Sequence, residues 1–192
     1  TRTGRNGGSE VVRPSMSTVE RSINIFIRGH RIRLEEVLAA LEAIEPQCAR
    51  LAALNYSDAD WEALSANHAQ IQQCIDDIPG FLQANLAWHM SVVRASHNEL
   101  LVAFAQAIAQ SVYAATDLKD INSPAVRQAV VQAHQKVMDA IQAGDADAAG
   151  RRMGRHVGAY VSLAQVLGAD PSEDTRQSRK RTDGQIRKKV IS

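Results

Sequence analysis

Asn85 and His89 lie four residues apart in FLQANLAWHMSVV, so on a helix they share one face, a turn apart. His134 lies in PAVRQAVVQAHQKVMDAIQAG and His156 in DAAGRRMGRHVGAYVSLAQVL, with Gly144, a helix stop, between them. His134 is ten residues before that glycine and His156 twelve after it. At a rise of about 1.5 Å per residue, an antiparallel hairpin turned there brings both imidazoles to nearly the same height. Each also interrupts an apolar stripe: Val126, Val130, His134, Val137 and Ile141 on one helix, Met153, His156, Tyr160 and Leu163 on the next. A lone histidine on an apolar face is ordinarily a hydrogen-bonded core residue. Three that can be aligned, with a carbonyl oxygen one turn from one of them, predict a divalent-metal site inside a helical bundle. The predicted ligands are Asn85, His89, His134 and His156, and imidazole-rich ligation selects Zn²⁺ or Ni²⁺ over Mg²⁺ or Ca²⁺.

A metal-assisted hydrolase would also need a general base beside the ion, usually Glu or Asp. The ligand-bearing helices offer none in register, since Glu99 and Asp139 fall elsewhere by spacing. The chain carries no nucleophile motif and no phosphate-binding glycine loop. A metalloenzyme therefore stands as an alternative, beside a non-catalytic helical interaction protein. His30, His68 and His97 read as structural or surface residues, Phe81 and Trp88 as core, and Arg151, Arg152 and Arg155 as a solvated face.

The elements that must position these residues are helical. Apolar content is 45% and aromatic content only 4%, which favours close-packed helices over a sheet. The capping box Ser17–Glu20 predicts a helix from Thr18 to Arg28, stopped by Gly29. A long helix is predicted from Ile32 to Leu54, kinked or broken near Glu45 by Pro46. Ser57 caps a helix from Asp58 to Ile75, and Pro79 opens the one carrying Asn85 and His89. That helix breaks at Ser96-His97-Asn98 and resumes as Glu99 to Ala115. Ser123-Pro124 opens the His134 helix, and the His156 helix runs from Asp147 to Leu167, stopping at Gly168. The expected body, residues 17–168, is an all-α antiparallel bundle of six or seven helices. Before it, residues 1–16 read as a β-hairpin turning at Asn6-Gly7-Gly8, with a returning strand from Glu10 to Arg13. A two-stranded ribbon does not fold alone, so more chain is expected upstream of Thr1. After the body, residues 169–192 lack any apolar period and read as a disordered basic tail.

No apolar run approaches the ~18 residues of a membrane span and no signal peptide opens the chain, which suits a cytoplasmic protein. Cys48 and Cys74 read as free core thiols. The net charge of +1 hides a pattern. Residues 1–33 hold seven arginines against two acids, and residues 169–192 hold seven Lys/Arg against four acids. Of the 22 basic and 21 acidic residues, eight and fifteen remain for the middle, a net of −7 there. Basic ends on an acidic body fit either contact with a polyanion through the ends or two solvated tails.

An ordered series of motifs then carries a resemblance. It comprises Glu45-Pro46-x-x-Ala49-Arg50-Leu51-Ala52-Ala53, Asn85-x-x-x-His89 with Asn98 nine residues on, and Ala133-His134. It continues with Ala140-Ile141-x-Ala143-Gly144-Asp145-x-x-x-Ala149 and closes with Met153-x-x-His156. Over roughly residues 35–165 the chain resembles the FCD domain, the effector-binding domain of one group of GntR-type bacterial transcription regulators. The opening TRTGRNGGSEVV looks like the wing of the winged helix-turn-helix that precedes it in that family. The resemblance implies a homodimer that binds DNA through the upstream winged helix, senses a small carboxylate at the metal site, and shifts the spacing of its two recognition helices. Two positions depart from the family pattern. Asn85 stands where metal-binding members usually carry Asp, and Leu41 where an arginine often reaches toward the effector.

Overall fold

Polar caps, prolines in first turns and left-handed turns cut the chain into helices, and each cut can be read in its hydrogen bonds. The computed structural model describes residues 2–3, 9–10, 15–116 and 123–166. Among the described residues there are seven helices: α1 (Met16–Gly29), α2 (Leu34–Asn55), α3 (Asp58–Gln73), α4 (Ile78–Ala95), α5 (Glu99–Thr116), α6 (Pro124–Gln142) and α7 (Ala146–Val166). None is long and apolar enough to cross a membrane. Ahead of them, β1 (Arg2–Thr3) pairs antiparallel with β2 (Ser9–Glu10), Arg2 opposite Glu10. The predicted turn at Asn6-Gly7-Gly8, most of the returning strand, the stop at Gly168 and the tail 169–192 lie outside the described residues.

Most helix starts follow the predicted chemistry. Ser57 Oγ accepts the N–H of Asp60 while the Asp60 carboxylate accepts that of Ser57, a reciprocal cap. Ser123 Oγ accepts the N–H of Val126, with Pro124 in the first turn. Helix α1 departs from expectation at its N-terminus and ends at Gly29 as predicted. Its N-cap is Ser15 rather than Ser17, whose hydroxyl instead meets that of Ser15 at 2.8 Å. The left-handed residue after α1 is Arg31 (φ 53), not Gly29, and the N–H of Ile32 closes the turn on Ile27 O.

Helix α2 departs more instructively, because it runs through Pro46 without a break. A proline removes one backbone hydrogen bond, a loss that tertiary packing must offset. That packing comes from α7, where glycines recur every fourth residue at 150, 154 and 158. A Cβ at Gly154 would sit 3.6 Å from Pro46 Cγ, and one at Gly158 would sit 3.0 Å from the Glu42 carboxylate. One at Gly150 would overlap Arg50, which is ion-paired to Asp147 at the start of α7. The bare stripe lets α2 and α7 approach closely, and it seats the proline ring in the space that side chains would fill. Ala49 and Ala52 of α2 and Ala149 and Met153 of α7 are all 0% exposed in the main core.

The α6–α7 hairpin turns where the sequence predicts. Gly144 has φ +68, and the N–H of Asp145 reaches back to Ala140 O at 3.0 Å. Every other residue type is strained in that conformation. Gly144→Ala is therefore expected to destabilise the protein by about 1–2 kcal/mol, read as a lower urea midpoint at unchanged slope. A midpoint equal to wild type would contradict this account of the turn.

Candidate metal centre

The hairpin sets His134 and His156 opposite each other, and α4 supplies the third imidazole. His134 Nε2 lies 2.9 Å from His156 Nε2, which lies 3.3 Å from His89 Nε2. The three ligand atoms all fall within 4.8 Å of one another. At a metal–nitrogen distance of about 2.0–2.1 Å, two ligand nitrogens stand roughly 2.9 Å apart across a right angle and roughly 3.4 Å apart across a tetrahedral one. Both observed separations therefore match nitrogens sharing one ion.

The rings are held by their surroundings. His134 is fully buried and stacks on Trp88, with centroids 3.6 Å apart and planes 6° from parallel. Trp88 thus belongs to the core, as predicted, and is also the platform that fixes the His134 ring. His89 Nδ1 donates to Glu45 Oε2 at 2.6 Å. A carboxylate can only accept there, so Nδ1 carries a proton, and in the neutral ring the Nε2 lone pair then faces the cluster. This is the carboxylate–histidine arrangement that orients metal ligands.

Protons alone do not satisfy the cluster. With His89 Nε2 bare, a proton on His134 Nε2 leaves the His156 and His89 lone pairs facing each other. A proton on His156 Nε2 must instead be shared between two acceptors. His134 Nδ1 is buried without a partner in either arrangement, and so is the Asn85 carbonyl Oδ1, one turn before His89 on α4. Asn85 lines the same cavity as His89 and His156. An unpaired buried carbonyl costs about 1–3 kcal/mol, and a cation at the nitrogens' focus gives such an oxygen a use. Burial, reinforced by the neighbouring imidazoles, holds His134 well below the usual histidine range. The same two causes push His156 down to about 3. Both rings are therefore free bases at neutral pH, the state in which imidazole binds metal.

The remaining histidines are not among the three that could share an ion, although the His68 ring centroid lies 6.4 Å from that of His134. His68 is buried against Val131 O at 3.3 Å, a core position rather than a surface one. His97 has φ 52 at the α4–α5 break and pairs with Asp60 at 2.7 Å, and His30 is exposed beside Phe26. Cys48 and Cys74 are free, and burial pushes the Cys48 thiol up to about 12, which keeps it inert.

Glu45 is the functional residue that reading by spacing missed. No acid on α4, α6 or α7 reaches the cluster, but α2, close against α7 along the glycine stripe, delivers one from 44 positions away. Its oxygen is committed to His89. Glu45 is 6% exposed, but its stretch of α2 also carries Glu42, Gln47 and Arg50, so spacing alone does not single it out.

Beside the cluster opens a cavity of about 100 Å³, lined by residues of α2, α4, α5, α6 and α7. Leu41, where an arginine was the family expectation, is part of its wall.

Comparison with known proteins follows the same architecture. The family profile of the FCD domain matches residues 36–159. Among solved structures, Streptococcus agalactiae GntR superimposes with a TM-score of 0.59 at 19% identity, over 67% of this chain and 57% of that one. E. coli McbR/YncC superimposes with a TM-score of 0.61 at 16% identity, over 69% of this chain and 68% of that one. The chain thus spans little more than half the length of the S. agalactiae protein. No curated protein sequence matches it.

Proposed function

The chain belongs to the FCD domain family, and on that premise we propose that it is the effector-sensing part of a cytoplasmic, DNA-binding transcription regulator of the GntR type. In this reading Asn85, His89, His134 and His156 bind one Zn²⁺ or Ni²⁺, and a small carboxylate takes an open position on the ion. The observation that carries the reading is the convergence of three Nε2 atoms, 2.9 and 3.3 Å apart, with an orphaned carbonyl oxygen one helical turn before His89 in the same cavity lining. The ligand set contains no anionic side chain, so the ion keeps its full charge and attracts an anion in a low-dielectric interior. Glu45 Oε2 supports His89 through its other nitrogen, as a carboxylate that orients a metal ligand does.

The division of the chain follows the same reading: residues 1–16 as the wing of a winged helix-turn-helix, 17–168 as the sensing and dimerising body, and 169–192 as a basic tail. Two such bodies form a homodimer, whose two-fold symmetry suits a palindromic operator. Large apolar side chains on the packed pair α1 and α5 support a face that a second copy covers: Ile25 is 65%, Phe26 55% and Leu100 64% exposed. Effector binding among α2, α4 and α7 biases the arrangement of the two bodies and with it the reach of the recognition helices.

Metal analysis with mass measurement under native conditions tests the proposal. One ion per chain and a dimeric mass are expected; a metal-free monomer at micromolar concentration would sink it. Glu45→Gln keeps the shape of the side chain and removes its charge, so zinc affinity is expected to fall 10- to 100-fold by competition against a chelator. Unchanged affinity would show that the His89–Glu45 contact has no part in holding the ion.

A further inference from the structure

The cavity beside the histidines is divided in its chemistry. Of its seventeen lining residues, five are polar: Glu45, Asn85, His89, His156 and Tyr160. Three of the five are joined by contacts, and the other two each lie one helical turn from one of those three. Glu45 is bonded to His89, Asn85 lies one turn before it, His156 meets it at 3.3 Å, and Tyr160 lies one turn beyond His156. The other twelve are aliphatic, Phe or Met, and no lysine or arginine appears among the described residues of the lining. Leu41 and Leu38 from α2, Val126 and Val130 from α6, and Ala105 and Ala109 from α5 form walls that offer nothing to a second charge.

Resting on the metal-anchored reading above, we infer that the effector is a monocarboxylate with an apolar body, a short aliphatic acid rather than a di- or tricarboxylate. One carboxylate meets the ion at the polar end. Tyr160, one turn beyond His156, is the lone hydroxyl of the described lining and is kept protonated by burial. The body displaces water from the leucine and valine walls. A second carboxylate would be buried among those side chains without a cation, facing an interior that already holds the Glu45 carboxyl group. The size also selects: a pocket of roughly 150 Å³ lined by similar side chains accepts benzene, so about 100 Å³ suits a chain of a few carbons.

Calorimetric titration of the zinc-loaded protein with acetate, butyrate, hexanoate, benzoate, succinate, lactate and citrate tests this. Affinity is expected to rise about fourfold per methylene from acetate to hexanoate, with succinate and citrate at least tenfold weaker than butyrate. Affinity independent of chain length, succinate or citrate binding as tightly as butyrate, or no binding by any acid would overturn the inference. The same chain-length gradient in metal-free protein, with no loss of affinity, keeps the apolar body and removes the metal as anchor, so the two readings fail separately. Leu41→Arg adds the missing cation and is expected to raise succinate affinity at least tenfold relative to hexanoate. If that variant does not fold, the wild-type series decides alone.

Discussion

Substituting His156 by alanine is expected to abolish the stabilisation that zinc confers on the wild-type protein. His156 Nε2 is the atom that touches both other imidazole nitrogens, so its loss leaves two ligands that no longer share a third. Losing even a supporting residue of a metal site costs 10- to 100-fold in affinity, and a ligand itself should cost at least the upper figure. At free zinc about 100 times the wild-type dissociation constant, binding adds about 2.7 kcal/mol to the folded state. For a chain of this size that raises Tm by roughly 5–10 °C. The variant should show almost none of this rise at the same zinc concentration. It should still fold, because the core beneath His156 rests on Met153 and Val157. An equal zinc-induced rise in the variant would remove His156 from the site.

The metal-free wild-type protein, by contrast, is expected to be acid-labile from an unusually high pH. Folding holds His134 and His156 below their ordinary range, chiefly by burial. The sign follows from proton counting. Between the unfolded value near 6.5 and the lower folded values, the unfolded chain binds more protons, so stability is complete above pH 6.5 and falls as pH drops. Each buried neutral histidine contributes a slope of about 1.4 kcal/mol per pH unit well below 6.5, and the pair roughly 3 kcal/mol. Against a typical total of about 5–15 kcal/mol, this unfolds the metal-free protein a few units below neutrality. Asp60, whose carboxyl is lowered by its bonds to Ser57, acts only in the more acidic window below the ordinary aspartate range and at an accessible site. Zinc competes with protons for the same nitrogens and should move the acid transition to lower pH. Urea midpoints at pH 7, 6 and 5 that do not change in the metal-free protein would contradict neutral burial of the pair.

Much of this was legible in sequence because it is local. Helix periodicity, the Ser57 and Ser123 caps and the Gly144 turn are short-range chemistry, and two helices hinged at a known residue fix the relative height of His134 and His156. The all-α body and its family followed from the same ordered motifs. Long-range facts were less legible. That α2 survives Pro46 depends on α7 presenting three glycines to it, a stripe whose meaning appears only once the two helices are known to be neighbours. Glu45 reaches His89 across 44 residues for the same reason. Trp88 was read as core without its stacking on His134, since nothing in the spacing of α4 and α6 says which ring faces which. The N-terminal cap of α1 falls on Ser15, two residues before the Ser17 that the capping-box pattern predicts, because both serines carry the same capping group and only geometry separates them.

The most direct test of the metal centre is anomalous diffraction at the zinc edge from crystals of the zinc-loaded protein. One peak per chain is expected, about 2.0–2.1 Å from Nε2 of His89, His134 and His156 and within about 2.2 Å of Asn85 Oδ1. A peak elsewhere, or no peak at full zinc loading, would contradict it.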